Sequence, residues 1–134
     1  MVDKAIKPYY NDFMPYKNIE KRRQYYRDYH RANRERIIKR QRNYRVKLRL
    51  EVLSHYSNGE LKCDCCGERQ IEFLTIDHIK GDGAKHRKTI GATGGMKIYL
   101  WLRKQGYPKG YRVLCYNCNQ SYGFYGYCPH KKGD

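Results

Sequence analysis

The stretch that decides the fold is residues 63–78, CDCCGERQIEFLTIDH, read together with its counterpart at 114–119, LCYNCN. Cys63-x-x-Cys66-Gly67 and Cys115-x-x-Cys118 are two knuckles. Each can offer two thiolates to one tetrahedral ion, and a four-thiolate set selects zinc. The 48 residues between the knuckles exceed the spacer of a simple zinc ribbon, so the intervening chain must form its own structure and bring its ends together. Cys65, beside Cys66, cannot easily ligate within the same knuckle, and Cys128 falls outside any pair. Both are read as buried or free thiols.

Working outward from the first knuckle, residues 71–76, IEFLTI, read as a strand that ends in Asp77-His78. The following IKGDGAKHRKTIGATGG (79–95) is rich in glycine and charge and reads as a loop. MKIYLWLRKQ, from Met96 to Gln105, has the pattern of a short amphipathic helix stopped by Gly106 and Pro108. Tyr111 to Leu114 form a second strand that delivers Cys115, and a short helix begins near Cys118. The expected order is knuckle, strand, loop with helix, strand, knuckle, helix.

Upstream of the first knuckle the chain changes character. Between Lys17 and Arg49 fourteen basic residues face only Glu20, Asp28 and Glu35, so most of the chain's net charge of +16 lies in this quarter. No Pro or Gly interrupts Lys17 to Asn58, while Pro15 precedes the stretch and Ser57-Asn58-Gly59 follows it, the punctuation of a long helix. Asn18 and Asn33 could each serve as an N-cap, which leaves open a break near Asn33 and two helices instead of one. Apolar residues are too few for a buried stripe before Gln41. Later, Val46, Leu50 and Leu53 form one apolar row and Tyr44, Leu48 and Val52 another, so the C-terminal third of the helix should dock on the following domain. A run that hardly mixes signs points to a polyanion. Arg22, Arg23, Arg27, Arg31, Arg34, Lys39, Arg40 and Arg42 are the candidate phosphate contacts, which grip a backbone without reading its sequence.

Composition makes the same demand for a staple. Leu, Ile, Val and Phe number 24, about 18% of the chain, a fraction that with this charge usually leaves a sequence unfolded. The N-terminal residues have no apolar signal region and no run is long enough to cross a bilayer. Secretion is therefore not indicated, and six cysteines outside an oxidising compartment are better read as metal ligands than as disulfides.

Cys-x-x-Cys (Cys63, Cys66), Asp77-His78 at a strand end and Leu114-Cys115-Tyr116-Asn117-Cys118-Asn119 together resemble the HNH, or His-Me finger, endonucleases, most closely the phage recombination endonuclease VII group. The resemblance covers about residues 52–130 and implies an α+β fold: a small zinc-stapled ββα-metal domain, here preceded by a long basic helix. It implies a structural zinc on Cys63, Cys66, Cys115 and Cys118. It also implies a catalytic magnesium or manganese on Asp77 and Asn119, with His78 as general base in the hydrolysis of DNA phosphodiesters.

Elementary chemistry supports that trio. An imidazole with an ordinary pKa near 6.5 suits proton abstraction at neutral pH. A carboxylate and an amide oxygen suit a hard cation and leave positions for water and phosphate. Asp77 and His78 are adjacent, so a bend at the strand end is required for both to serve one reaction. Two departures stand out. The last His of the family name is Asn119, and the middle Asn would fall at Gly110, so orientation of His78 must come from a backbone carbonyl or another side chain.

His86 and Arg87 are candidates for the scissile phosphate or a solvated loop pair. Arg112 is read as a surface residue or a DNA contact, His30 as part of the basic face, His55 as a helix-end residue and Trp101 as core. Tyr122, Phe124, Tyr125, Tyr127 and His130 are expected to pack over the zinc site. The expected organisation is a tail over 1–16, a basic helical DNA-binding arm over 17–57 and a nuclease domain over 58–134. DNA is the expected partner, with homodimerisation or a larger nucleoprotein assembly left open and no membrane. The expected setting is intracellular and cytoplasmic, with a phage-encoded protein in a bacterial host as one origin. The alternative function is a non-catalytic zinc-binding, nucleic-acid-binding subunit.

Overall fold

The computed structural model describes residues 18–92 and 94–131, so the tail expected over 1–16 lies outside the described residues. The basic stretch folds as two helices, α1 (Ile19–Ala32) and α2 (Arg34–Tyr56), and not as one long helix. Asn18 caps α1: its side-chain oxygen accepts from the backbone N–H groups of Glu20 and Lys21 at 2.9 and 3.2 Å, donors that the first turn leaves open. The break falls at Asn33, where the side-chain amide donates to the Tyr29 carbonyl at 2.9 Å. This local bond competes with the helical ladder, and φ −112°, ψ 14° ends it.

The chain divides into two compact units between Gln41 and Arg42. In the upstream unit no described residue is buried. In the downstream unit α2 contributes Leu48, Val52 and Leu53 to the core, while Val46 and Tyr44 stay exposed. Tyr44 is occupied at its rim, accepting a hydrogen bond from Arg103 at 2.9 Å.

Strands β1 (Leu74–His78) and β2 (Tyr111–Cys115) pair antiparallel, Leu74 opposite Cys115 and His78 opposite Tyr111. Residues 71–73, expected to open the first strand, form a 3-10 turn instead. The register explains this: Leu74 already faces the last residue of β2, and the next residue, Tyr116, begins a helix, so nothing remains for residues 71–73 to pair with. Arg49 of α2 takes up local acceptors, donating to the carbonyls of Glu72 and Leu74. Between the strands lie α3 (Gly83–Thr89), which replaces part of the expected loop, and α4 (Gly95–Lys104); α5 (Tyr116–Tyr125) follows β2 directly.

Leu74, Ile76, Val113 and Leu114 from the sheet pack with Ile98, Tyr99 and Leu102 of α4 and the α2 leucines. Four of the fourteen buried residues are cysteines: Cys63, Cys115, Cys118 and Cys128. That share is high for so small a core, and a two-stranded sheet is marginal without further support. No helix among the described residues is long and apolar enough to cross a membrane.

Candidate metal centre and candidate active site

The first knuckle is fastened to β2 by main-chain bonds. Asp64 N–H donates to the Val113 carbonyl at 2.8 Å, and Gly67 N–H closes the knuckle on the Cys63 carbonyl at 2.9 Å. Gly67 sits at φ +78°, the left-handed conformation that this turn needs and that glycine adopts without a side-chain penalty. The second knuckle is the junction of β2 with α5, where Cys115 Sγ accepts from Cys118 N–H across the first turn. Cys63, Cys66, Cys115 and Cys118 thereby bring their sulfurs within 4.8 Å of one another, a set that could hold a metal ion such as zinc. Cys66 and Cys115 lie 3.7 Å apart, close to the edge of roughly 3.8 Å that two sulfurs make around a tetrahedral ion at about 2.3 Å.

Cys65 and Cys128 are not isolated thiols. They form a second set with Cys118 and His130, again within 4.8 Å. His130 Nδ1 is 3.3 Å from both Cys118 Sγ and Cys128 Sγ. Burial pushes the Cys118 thiol up, and the thiols of Cys115, Cys128, Cys66 and Cys65 add to the effect. Burial opposes ionisation of Cys128 too, but hydrogen bonds from the His130 backbone, from Cys65 and Cys118 and from the His130 ring bring it down to about 7. The signal in the sequence was Cys128-Pro129-His130, two soft ligands spaced to meet one ion, just after the second knuckle. Of the aromatic cover expected here, Tyr122 packs against the core beside Cys65 and His130 meets Cys118 and Cys128, whereas Phe124 and Tyr125 point away, 78% and 70% exposed.

A separate cleft of about 440 Å³ opens at the strand ends, and none of the six cysteines lines it. Asp77, His78, Lys80, Arg87, Arg112 and Asn119 are on its walls. Asp77 faces Arg112 across the sheet, and its carboxylate accepts from Arg112 Nε at 2.8 Å. The guanidinium lies 4.5 Å over the Tyr122 ring, so Arg112 is fixed from two sides and not a loose surface arginine. His78 points the other way, its ring 4.8 Å from Tyr111, and the chain turns immediately afterwards through Gly81 N–H to the His78 carbonyl at 2.8 Å. Asp77 and His78 both line the cleft from within β1, and this turn adds Lys80 and Gly81 to its wall.

His86 does not line the cleft. It packs behind His78, with its Nδ1 2.8 Å from His78 Nε2 and its ring 4.3 Å from Trp101. This contact holds the Nε2 edge of the His78 ring. His86 Nε2 is buried without a hydrogen-bond partner. The His78 Nε2–His86 Nδ1 contact requires the proton of one of these two nitrogens between them. In the tautomer that carries the proton on His78 Nε2, His86 Nδ1 accepts from it, and the Tyr111 hydroxyl stands 3.5 Å from the same His86 nitrogen. His78 Nδ1 is left as the basic nitrogen. A Cβ on Gly83 would lie 3.0 Å from that atom, so α3 passes close to His78 and a side chain at this position would press on the ring. Burial first, then the His86 ring, hold the His78 imidazole below its ordinary pKa; Arg87 adds to them, while Asp82 and Asp77 oppose.

Arg22, Arg23, Arg27 and Arg31 lie on α1 and Arg34, Lys39, Arg40 and Arg42 on α2, all of them exposed. Only Arg23, with Glu20, and Arg31, with Asp28, form ion pairs within this group among the described residues. No family model, no curated protein and no solved structure matches the chain.

Proposed function

We propose that the chain is a metal-dependent DNA endonuclease of the ββα-metal, His-Me finger kind, with His78 as general base. The observation that supports it is the meeting of Asp77, His78 and Asn119 in one cleft that also carries Lys80, Arg87 and Arg112. The two strands followed by α5 match the order that the resemblance implies.

The donor set suits magnesium or manganese. Asp77 keeps one carboxylate oxygen outside its bond with Arg112, and Asn119 brings an amide oxygen, both hard donors. A cation held there would supply Lewis-acid stabilisation to charge building on the phosphoryl oxygens. His78 Nδ1 accepts the proton of the attacking water as its oxygen bonds to phosphorus. The bond from phosphorus to the leaving sugar oxygen breaks and that oxygen takes a proton from solvent, giving a phosphate monoester and a hydroxyl, while His78 returns its proton to solvent. His86 fixes the tautomer and angle of His78 throughout, as a positioning residue. Lys80 and Arg87 meet phosphate oxygens in the cleft, and the basic side chains of α1 and α2 add contacts that do not depend on sequence.

The test is nicking of supercoiled plasmid by zinc-replete protein. Cleavage should need added magnesium or manganese and vanish in His78→Ala, with DNA binding and zinc content retained. Intact plasmid, branched DNA and single strands with either metal would rule the enzyme out. The Asp77–Arg112 ion pair supports a second reading, a non-catalytic zinc module that binds nucleic acid, because the guanidinium already neutralises the carboxylate. Salt-sensitive binding without cleavage is its signature.

A further inference from the structure

We propose that this protein holds two zinc ions in one cluster, with the Cys118 thiolate bridging them. The first ion takes Cys63, Cys66 and Cys115, the second takes Cys65, Cys128 and His130, and both share Cys118. This inference is independent of the nuclease reading.

The ligand count closes. Two tetrahedral ions need eight coordination positions, and the two sets contain seven side chains with Cys118 in both. The distances suit the assignment. Around one tetrahedral zinc a thiolate sulfur and an imidazole nitrogen stand roughly 3.5 Å apart. Cys118 and Cys128 both lie 3.3 Å from His130 Nδ1. All six cysteines are free of disulfides.

The knuckle geometry explains why neighbours divide between ions. Side chains of adjacent residues diverge, so Cys66 joins the first set while Cys65 turns toward Cys118 and Cys128. The end of the chain supplies a separate argument. Among the described residues beyond Cys118, Cys128 is the one buried side chain, at 2% exposure. After α5 the chain reverses at Gly126 (φ +75°), and Ser121 Oγ donates to the Tyr127 carbonyl at 2.8 Å. It then brings Cys128-Pro129-His130 back onto Cys118, with Cys128 the side chain of this segment that joins the core. A metal ion shared with Cys118 fastens the segment there.

Native mass spectrometry of the zinc-saturated full chain reads the stoichiometry directly. Two zinc ions per wild-type chain are expected, and one in Cys65→Ser, in Cys128→Ser and in His130→Ala; the last removes an exposed ring and leaves the packing alone. One ion in the wild type and in all three variants overturns the second site while leaving the four-thiolate site standing, and no ion at all overturns both. For the bridge, cadmium-113 NMR of the cadmium-substituted wild type should give two resonances split by mutual coupling through Cys118. Two uncoupled resonances would overturn the shared thiolate.

Discussion

The stretch from Ile19 to Gln41 and the stretch from Cys63 to Lys131 hold their structure in opposite ways. The first buries nothing and rests on local devices: the Asn18 cap, the Arg23–Glu20 and Arg31–Asp28 pairs at 2.9 and 3.5 Å, and helix propensity. Exposed pairs of this kind contribute about 0.3–0.5 kcal/mol each, so its helices are only lightly held. The second has a compact core but too little apolar material to complete it, and cysteine stands where a larger protein would place leucine. Charge is left exposed in one region, and in the other cysteines that could hold a metal ion fill part of the core.

Metal removal breaks this contrast most severely. Structural zinc is worth about 10–16 kcal/mol in apparent binding free energy, against a typical net stability of about 5–15 kcal/mol. A strong chelator should therefore abolish amide protection in β1 and β2 while the α1 amides keep their chemical shifts, because α1 has no buried residue to lose. Hydrogen exchange followed by NMR distinguishes the two regions. Persistence of sheet protection in fully metal-free protein would show that the apolar core suffices alone.

Gly83→Ala tests the cleft with a smaller effect. Gly83 opens α3, where little of alanine's helix-interior advantage applies, and the His78 ring must give way by a few tenths of an ångström, so stability should change by no more than about 1 kcal/mol. The new methyl, 3.0 Å from His78 Nδ1, crowds the nitrogen that takes the proton. Plasmid nicking should fall at least about tenfold, roughly 1.4 kcal/mol of barrier. Unchanged nicking with unchanged stability would place the basic nitrogen elsewhere.

Much of this was legible in the sequence, for reasons that separate residue from residue. The helix at Gly95–Lys104 and the strand into Cys115 carried strong local patterns, and the two Cys-x-x-Cys pairs announced their own meeting. Residues 71–73 looked like strand because their apolar content is right, but a strand needs a partner and β2 had ended. The α3 helix was hidden by glycines that favour loops in isolation, although Gly83 is there for closeness to His78. The second ligand set was hidden because Cys65 and Cys128 are 63 positions apart, and only the reversal at Gly126 joins them. The His78–His86 contact and the Asp77–Arg112 pair likewise depend on register, which local patterns do not encode.

The gentlest test of the contrast is to remove charge from α1 without touching its fold. Arg22, Arg23, Arg27 and Arg31 replaced by glutamine lose two exposed ion pairs and one hydrogen bond network with Gln24, all on the solvent side. Glutamine is as good a helix former as arginine, so unfolding free energy should stay within about 1 kcal/mol of the wild type, the most that two exposed pairs contribute. DNA affinity should nevertheless drop for every sequence alike. The slope of log affinity against log salt should shrink by about 0.9 for each phosphate contact removed. A loss restricted to one target sequence would mean that α1 reads bases. A loss of stability would mean that this region is not the lightly held, charge-presenting element its burial describes.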